Sequence, residues 1–125
     1  MTEAPKLIAI YTTQGDVGGF LIYPYLYNRQ GEWMGWVTPK RQVYSVHGHY
    51  VGYLSDDPRI LRKQSSGYLK PQAPPPVIPQ PINPPATVPL PPMMPELPIG
   101  ISDVLEDHPE MLPGVDFGDL REDMD

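Results

Sequence analysis

Ile10-Tyr11-Thr12-Thr13-Gln14-Gly15-Asp16-Val17-Gly18-Gly19-Phe20-Leu21 decides the fold, because its pattern returns twice. An aliphatic residue and Tyr are followed, after three residues each time, by two glycines, and the second glycine leads into an aromatic and an aliphatic residue. The copies run Leu26-Tyr27…Gly31…Gly35-Trp36-Val37 and Val43-Tyr44…Gly48…Gly52-Tyr53-Leu54, with first glycines 16 and 17 residues apart. That period is about one hairpin. A unit so short cannot bury its own apolar face and has to lean on its copies.

Each copy reads as two strands around a turn. Tyr and β-branched residues suit the strands. The first glycine closes a polar stretch (Thr13-Gln14-Gly15, Asn28-Arg29-Gln30-Gly31, His47-Gly48), where a tight turn needs positive φ. Strict alternation along the second strand puts Val17, Trp33 and Tyr50 on one face with the second glycines and with Leu21, Val37 and Leu54. The other face then carries Phe20, Trp36 and Tyr53 with Gly18, Met34 and Val51. Both faces are apolar. The mid-strand glycines Gly19, Gly35 and Gly52 are therefore expected to admit a ring from the neighbouring repeat. Gly67-Tyr68-Leu69 repeats the glycine-aromatic-aliphatic ending and marks a degraded fourth copy, with Lys63 where its first glycine would stand.

These repeats resemble the four-fold beta-flower domain over residues 8–69, and more weakly a PRC-barrel. The first resemblance implies a small all-β fold of radially arranged hairpins and brings no activity with it. The expected fold is thus all-β, with three to four tandem hairpins in a radial or barrel-like domain, followed by an extended proline-rich acidic tail.

Composition divides the chain in three. Residues 1–70 form the hairpin domain, with eleven of the twelve aromatic residues and a net charge of +3. A segment of that size sits near the limit at which one core suffices. Because all repeat signals end by Leu69, this head is expected to fold without the rest. Residues 71–98 hold 13 of the 19 prolines and form a linker. Polyproline II is its expected state, a semi-rigid spacer reaching about 85 Å at about 3.1 Å per residue. Residues 99–125 carry nine acids against Arg121, interleaved with large apolar side chains. That mixture on a tether is the pattern of a segment that docks and orders on binding.

Chemistry is thinly represented. There is no cysteine, hence no disulfide framework or thiolate site. His47 and His49 are the only histidine pair and the weak metal candidates; a solvated turn explains them better, and no metal or cofactor is expected. Asp56-Asp57-Pro58 reads as a turn with no nucleophile nearby. The chain is not expected to be an enzyme. No secretory signal or stretch of roughly 18 apolar residues is visible, so a cytoplasmic protein without a membrane span is expected.

The expected role is a non-catalytic interaction or assembly module, a β head with a tethered docking peptide, meeting a protein partner or another copy of itself. Leu105, Leu112 and Phe117 are the tail residues expected to bind, and Trp33, Trp36 and Tyr53 are those of the head. The alternative is a nucleic-acid-associated protein. Lys40, Arg41, Arg59, Arg62 and Lys63 would form one basic patch among exposed aromatic rings, the combination single strands require, masked by the acidic tail.

Overall fold

Four turns share one backbone sign. Gly15, Gly31, Gly48 and Gly100 have φ of 91°, 86°, 85° and 89°, a region in which any Cβ is strained. Each of the first three donates its N–H to the residue three before it: Thr12, Asn28 and Ser45. The computed structural model describes residues 6–64, 71–72 and 77–114. In it, Gly15 joins β1 (Leu7–Tyr11) to β2 (Val17–Ile22), Gly31 joins β3 (Tyr25–Asn28) to β4 (Trp33–Val37), and Gly48 joins β5 (Gln42–Ser45) to β6 (Tyr50–Leu54).

The fourth hairpin is assembled differently. β7 (Ile60–Lys63) pairs with β8 (Ile101–Asp103), in the register Leu61 with Asp103, Arg62 with Ser102 and Lys63 with Ile101. The Gln64 N–H donates to Gly100 O at 2.7 Å, so the proline-rich stretch enters and leaves at the tip of this hairpin. Residues 101–112 therefore supply the sheet's eighth strand and part of its core. A head ending at residue 70 lacks its eighth strand, and Gly67-Tyr68-Leu69 lie outside the described residues. The signal is hidden because the two strands of the fourth unit are separated in sequence by the whole proline-rich insertion.

All eight strands form one antiparallel sheet in sequence order, curled into a half-barrel. After β8 the chain turns into α1 (Val104–Asp107), capped by the Asp103 side chain, and a 3-10 turn at Pro109–Met111. The inner face of the sheet packs Ile10, Leu26, Val43 and Ile60 from the four first strands with Leu21, Met34, Val37, Val51 and Leu54, and α1 and its exit add Val104 and Leu112. The outer face packs Ala9, Tyr11, Phe20, Tyr27, Trp33, Trp36 and Tyr44.

Two details depart from strict alternation. In all three complete hairpins the second strand carries a bulge: Ile10 pairs with Gly19 but Tyr11 with Val17, Leu26 with Gly35 but Tyr27 with Trp33, and Val43 with Gly52 but Tyr44 with Tyr50. Gly18, Met34 and Val51 are the extra residues. The bulge flips the strand's phase, so Trp33 and Trp36 share the outer face while Met34 and Val37 share the inner one. The mid-strand glycines also admit backbone rather than a ring. A Cβ on Gly19, Gly35 or Gly52 would collide with the carbonyl oxygen of Tyr27, Tyr44 or Leu61 on the next repeat's first strand.

Candidate functional site

Proline rings and missing N–H donors keep residues 77–100 out of the ladder, and the segment lies along the head instead of projecting from it. Its burial has a period of three. Pro79, Ile82, Pro85, Val88, Pro91, Met94, Leu97 and Gly100 are each partly buried, and every residue between them is exposed. A period of three is the repeat that a polyproline II helix would have, and one edge of the segment faces the sheet. Ile82, Val88 and Met94 pack on the outer aromatic cluster. The contrast between neighbours is sharp: Met94 is packed there while Met93 is 93% exposed.

The segment is anchored at the hairpin tips in reverse order. The Gln72 N–H donates to Gly48 O, and the Ile82 N–H to Gly31 O, both at 2.9 Å. Pro91 covers Gly15, and the chain re-enters the fourth tip at Gly100. It thus visits the third, second and first hairpins before returning to the fourth, as a belt. Tyrosine hydroxyls hold it from below: Tyr11 donates to Pro89 O and Tyr25 to Val77 O, each at 2.7 Å, and Gln72 Nε2 donates to the Tyr44 hydroxyl at 3.0 Å. Under it Trp36 stacks on Tyr44 with centroids 5.4 Å apart. Burial pushes the Tyr27 and Tyr50 hydroxyls above their ordinary range.

The belt's other rows face solvent. Ile78, Leu90, Met93 and Ile99 fall on one row, because they are separated by multiples of three, and they are 52%, 92%, 93% and 105% exposed. Ile99 stands in the Pro98–Ile101 turn that ends the belt, and Val77, 69% exposed, lies on the neighbouring row. Isolated exposed apolar side chains are ordinary, but an aligned set on a rigid rod is not. This row was missed in the sequence because phase becomes meaningful only once one edge of the rod is known to be buried.

The residues singled out in the sequence are scattered by the fold. Trp33 and Trp36 are buried under the belt and Tyr53 is half-buried. Leu112 sits in the head's own inner core with Leu105 packed against it, and Phe117 lies outside the described residues. The five basic residues do not form one patch. Arg59 is 3% exposed, with Nη2 on Asp57 at 2.6 Å and Nη1 on Thr13 Oγ1 at 3.0 Å and on Pro95 O at 3.2 Å; its buried Nε has no hydrogen-bond partner among the described residues. Arg62 donates to Val51 O and Arg41 to Leu54 O, both at 2.8 Å, while Lys40 and Lys63 are exposed. Arg41 does line a cavity with the exposed ring of Tyr23, but Arg59 and Arg62 are engaged in contacts within the head. His47 and His49 are both exposed on the third turn, and among the described residues no three His, Asp or Glu side chains gather as a metal site would need. Among those residues no helix is long and apolar enough to cross a membrane.

Four hairpins with matching turn glycines, three of them sharing a bulge and a glycine contact to the next repeat, define a radial β-repeat protein. A model of the 4-fold beta flower protein family matches residues 8–104, and the chain belongs to that family. The match ends within one residue of β8, so it includes the belt and the strand that follows it. No curated protein and no solved structure matches the chain. The family is not a known enzyme family, and its function is unknown.

Proposed function

We propose that the chain is a non-catalytic interaction module that presents a preformed polyproline ridge to a protein partner. The observation that carries this reading is the outward row Ile78, Leu90, Met93 and Ile99, held in phase on a rod whose opposite edge is fixed to the head. Polyproline segments are recognised by aromatic-lined grooves that take side chains at three-residue spacing. A rod already immobilised by the sheet has lost its conformational entropy before the partner arrives. The belt thus does more than space two binding elements apart, and the β head serves as the frame that fixes its phase.

Photo-crosslinking in cells tests this. A crosslinker placed at Leu90 or Met93 should capture the same protein, and one placed at Ala86 or Pro92, on the other exposed row, should not. Capture that is equal from both rows, or absent from Leu90 and Met93, overturns the reading.

A further inference from the structure

Three seams in the sheet are filled by strand pairing between repeats: β2 with β3, β4 with β5, and β6 with β7. The fourth, between the last repeat and β1, is not. The residues that would continue β8 alongside β1 fold instead into α1. Side chains bridge this seam at its upper end, where Asp103 accepts from Thr13. Below that, the Tyr11 N–H donates to Pro58 O at 2.9 Å. Further down, the seam opens into a cavity of about 900 Å³.

The wall of this cavity has the form of an edge strand. Among the described strands β1 pairs with β2 alone, and its one backbone bond across the seam is that of Tyr11 to Pro58. Residues two apart in a strand turn their N–H and C=O groups to the same edge. Since Tyr11 points its N–H across the seam, Ala9 and Leu7 point theirs into the cavity, and neither has a backbone partner on that side among the described residues. The inner wall carries Leu21, Val37 and Leu54, the same position in three successive repeats. Their fourth counterpart is the cavity itself. Leu7 and Ile8 are 37% and 38% exposed beside it.

We propose that this slot binds a short extended peptide from a partner protein, added as a strand to β1 and carrying an aliphatic side chain that completes the ring of Leu21, Val37 and Leu54. The chemistry follows from the three filled seams. In the first of them Ile22 pairs with Tyr25, the counterpart of Ala9, and Leu21 sits one residue before it. Pro58 O already occupies the place opposite Tyr11, which limits the added strand to the stretch facing Leu7 and Ala9. Main-chain bonds to a free edge supply affinity, and alternate side-chain pockets supply selectivity. Pro85, Thr87, Val88 and Pro89 of the belt line the cavity on one side, whereas Leu90 and Met93 of the outward row do not.

The test uses the full chain labelled for NMR and, as probe, a capped peptide of the sequence Gly-Phe-Leu-Ile-Tyr, copied from residues 19–23. At millimolar peptide, shifts should concentrate on Leu7–Tyr11 and on Leu54–Pro58, and amide exchange at Leu7 and Ala9 should slow on the order of tenfold. The same peptide N-methylated at its isoleucine should lose this effect, since it cannot pair with Ala9, and that control leaves the protein untouched. Equal shifts from both peptides would mean an apolar cavity without strand addition. That result overturns the proposal, as does the absence of shifts, or dimerisation of the chain alone through β1.

Discussion

Asp103 and Thr13, 90 residues apart, meet at one carboxylate oxygen: the Thr13 N–H and hydroxyl both donate to Asp103 Oδ2 at 2.7 Å. The other oxygen accepts from the Leu105 N–H at 3.1 Å and caps α1. Thr13 Oγ1 in turn accepts from Arg59, which holds Asp57. First and last hairpins are thus joined by a polar network with Asp103 only 1% exposed at its centre. Asp103→Ala leaves three donors without an acceptor, and hydrogen bonds to charged groups are worth about 1.5–3 kcal/mol each. Because such losses are not additive, the expected cost is about 3 kcal/mol in total. Urea unfolding measures it, and a loss within a few tenths would show that the network does not close the ring.

Truncation probes the same closure more severely. A chain ending at residue 75 lacks β8, Val104 and Leu112, the last two of which are buried in the inner core. It should show no cooperative thermal transition, whereas a chain ending at residue 114 should melt like the whole. Cooperative melting of the shorter chain would make the fourth hairpin an accessory.

Three hairpins were legible in the sequence because each is local: the Tyr, the turn glycine and the mid-strand glycine fall within one short window. The fourth was not, since its second strand, Ile101–Asp103, lacks the glycine-aromatic ending and stands beyond the belt. The side-chain facing was misread at Met34 because a bulge changes no residue type, only phase. A proline-rich segment outside the ladder was foreseeable from composition, but its attachment to the head was not. The tyrosines that hold it, Tyr11 and Tyr25, look like any strand tyrosine until their hydroxyl partners, Pro89 O and Val77 O, are seen.

Gly35→Val should be among the most damaging single changes. Its Cβ would meet the Tyr44 carbonyl oxygen and lie 3.1 Å from Leu112 Cδ2, so both a backbone seam and the α1 exit would have to move. Overpacking of this kind costs roughly 1–3 kcal/mol, and a seam that cannot relax puts the effect at the upper end. A thermal midpoint within a degree or two of the parent would refute the close approach.

Acid should weaken the fold through Asp57. Burial alone would raise its carboxyl, but hydrogen bonds from Arg59 and Ser55 and the Arg59 charge outweigh that and hold it below its ordinary value of 3.8. A carboxyl depressed in the folded state contributes stability that is complete above the unfolded value and is lost as pH falls through the folded one. Wild-type stability should therefore drop below about pH 3.8. Asp57→Asn should be less stable at neutral pH, and the gap should narrow in acid. Parallel pH profiles for the two proteins would remove Asp57 from the account.

The period of the belt gives the most discriminating prediction. One residue inserted after Ala86 turns every later position by a third of a turn. Val88, Pro91, Met94 and Leu97 would then leave the aromatic face, and exposed neighbours such as Thr87 and Met93 would replace them. Three inserted residues add one whole turn, about 9 Å of slack, and return those four side chains to the sheet. A single inserted Ala should therefore lower the melting temperature and increase cleavage of the belt by protease, while an Ala-Pro-Ala insertion should recover most of the loss despite being longer. If damage instead grows steadily with insertion length, the belt is held at its ends alone. The outward row of Ile78, Leu90, Met93 and Ile99 would then have no fixed phase to present.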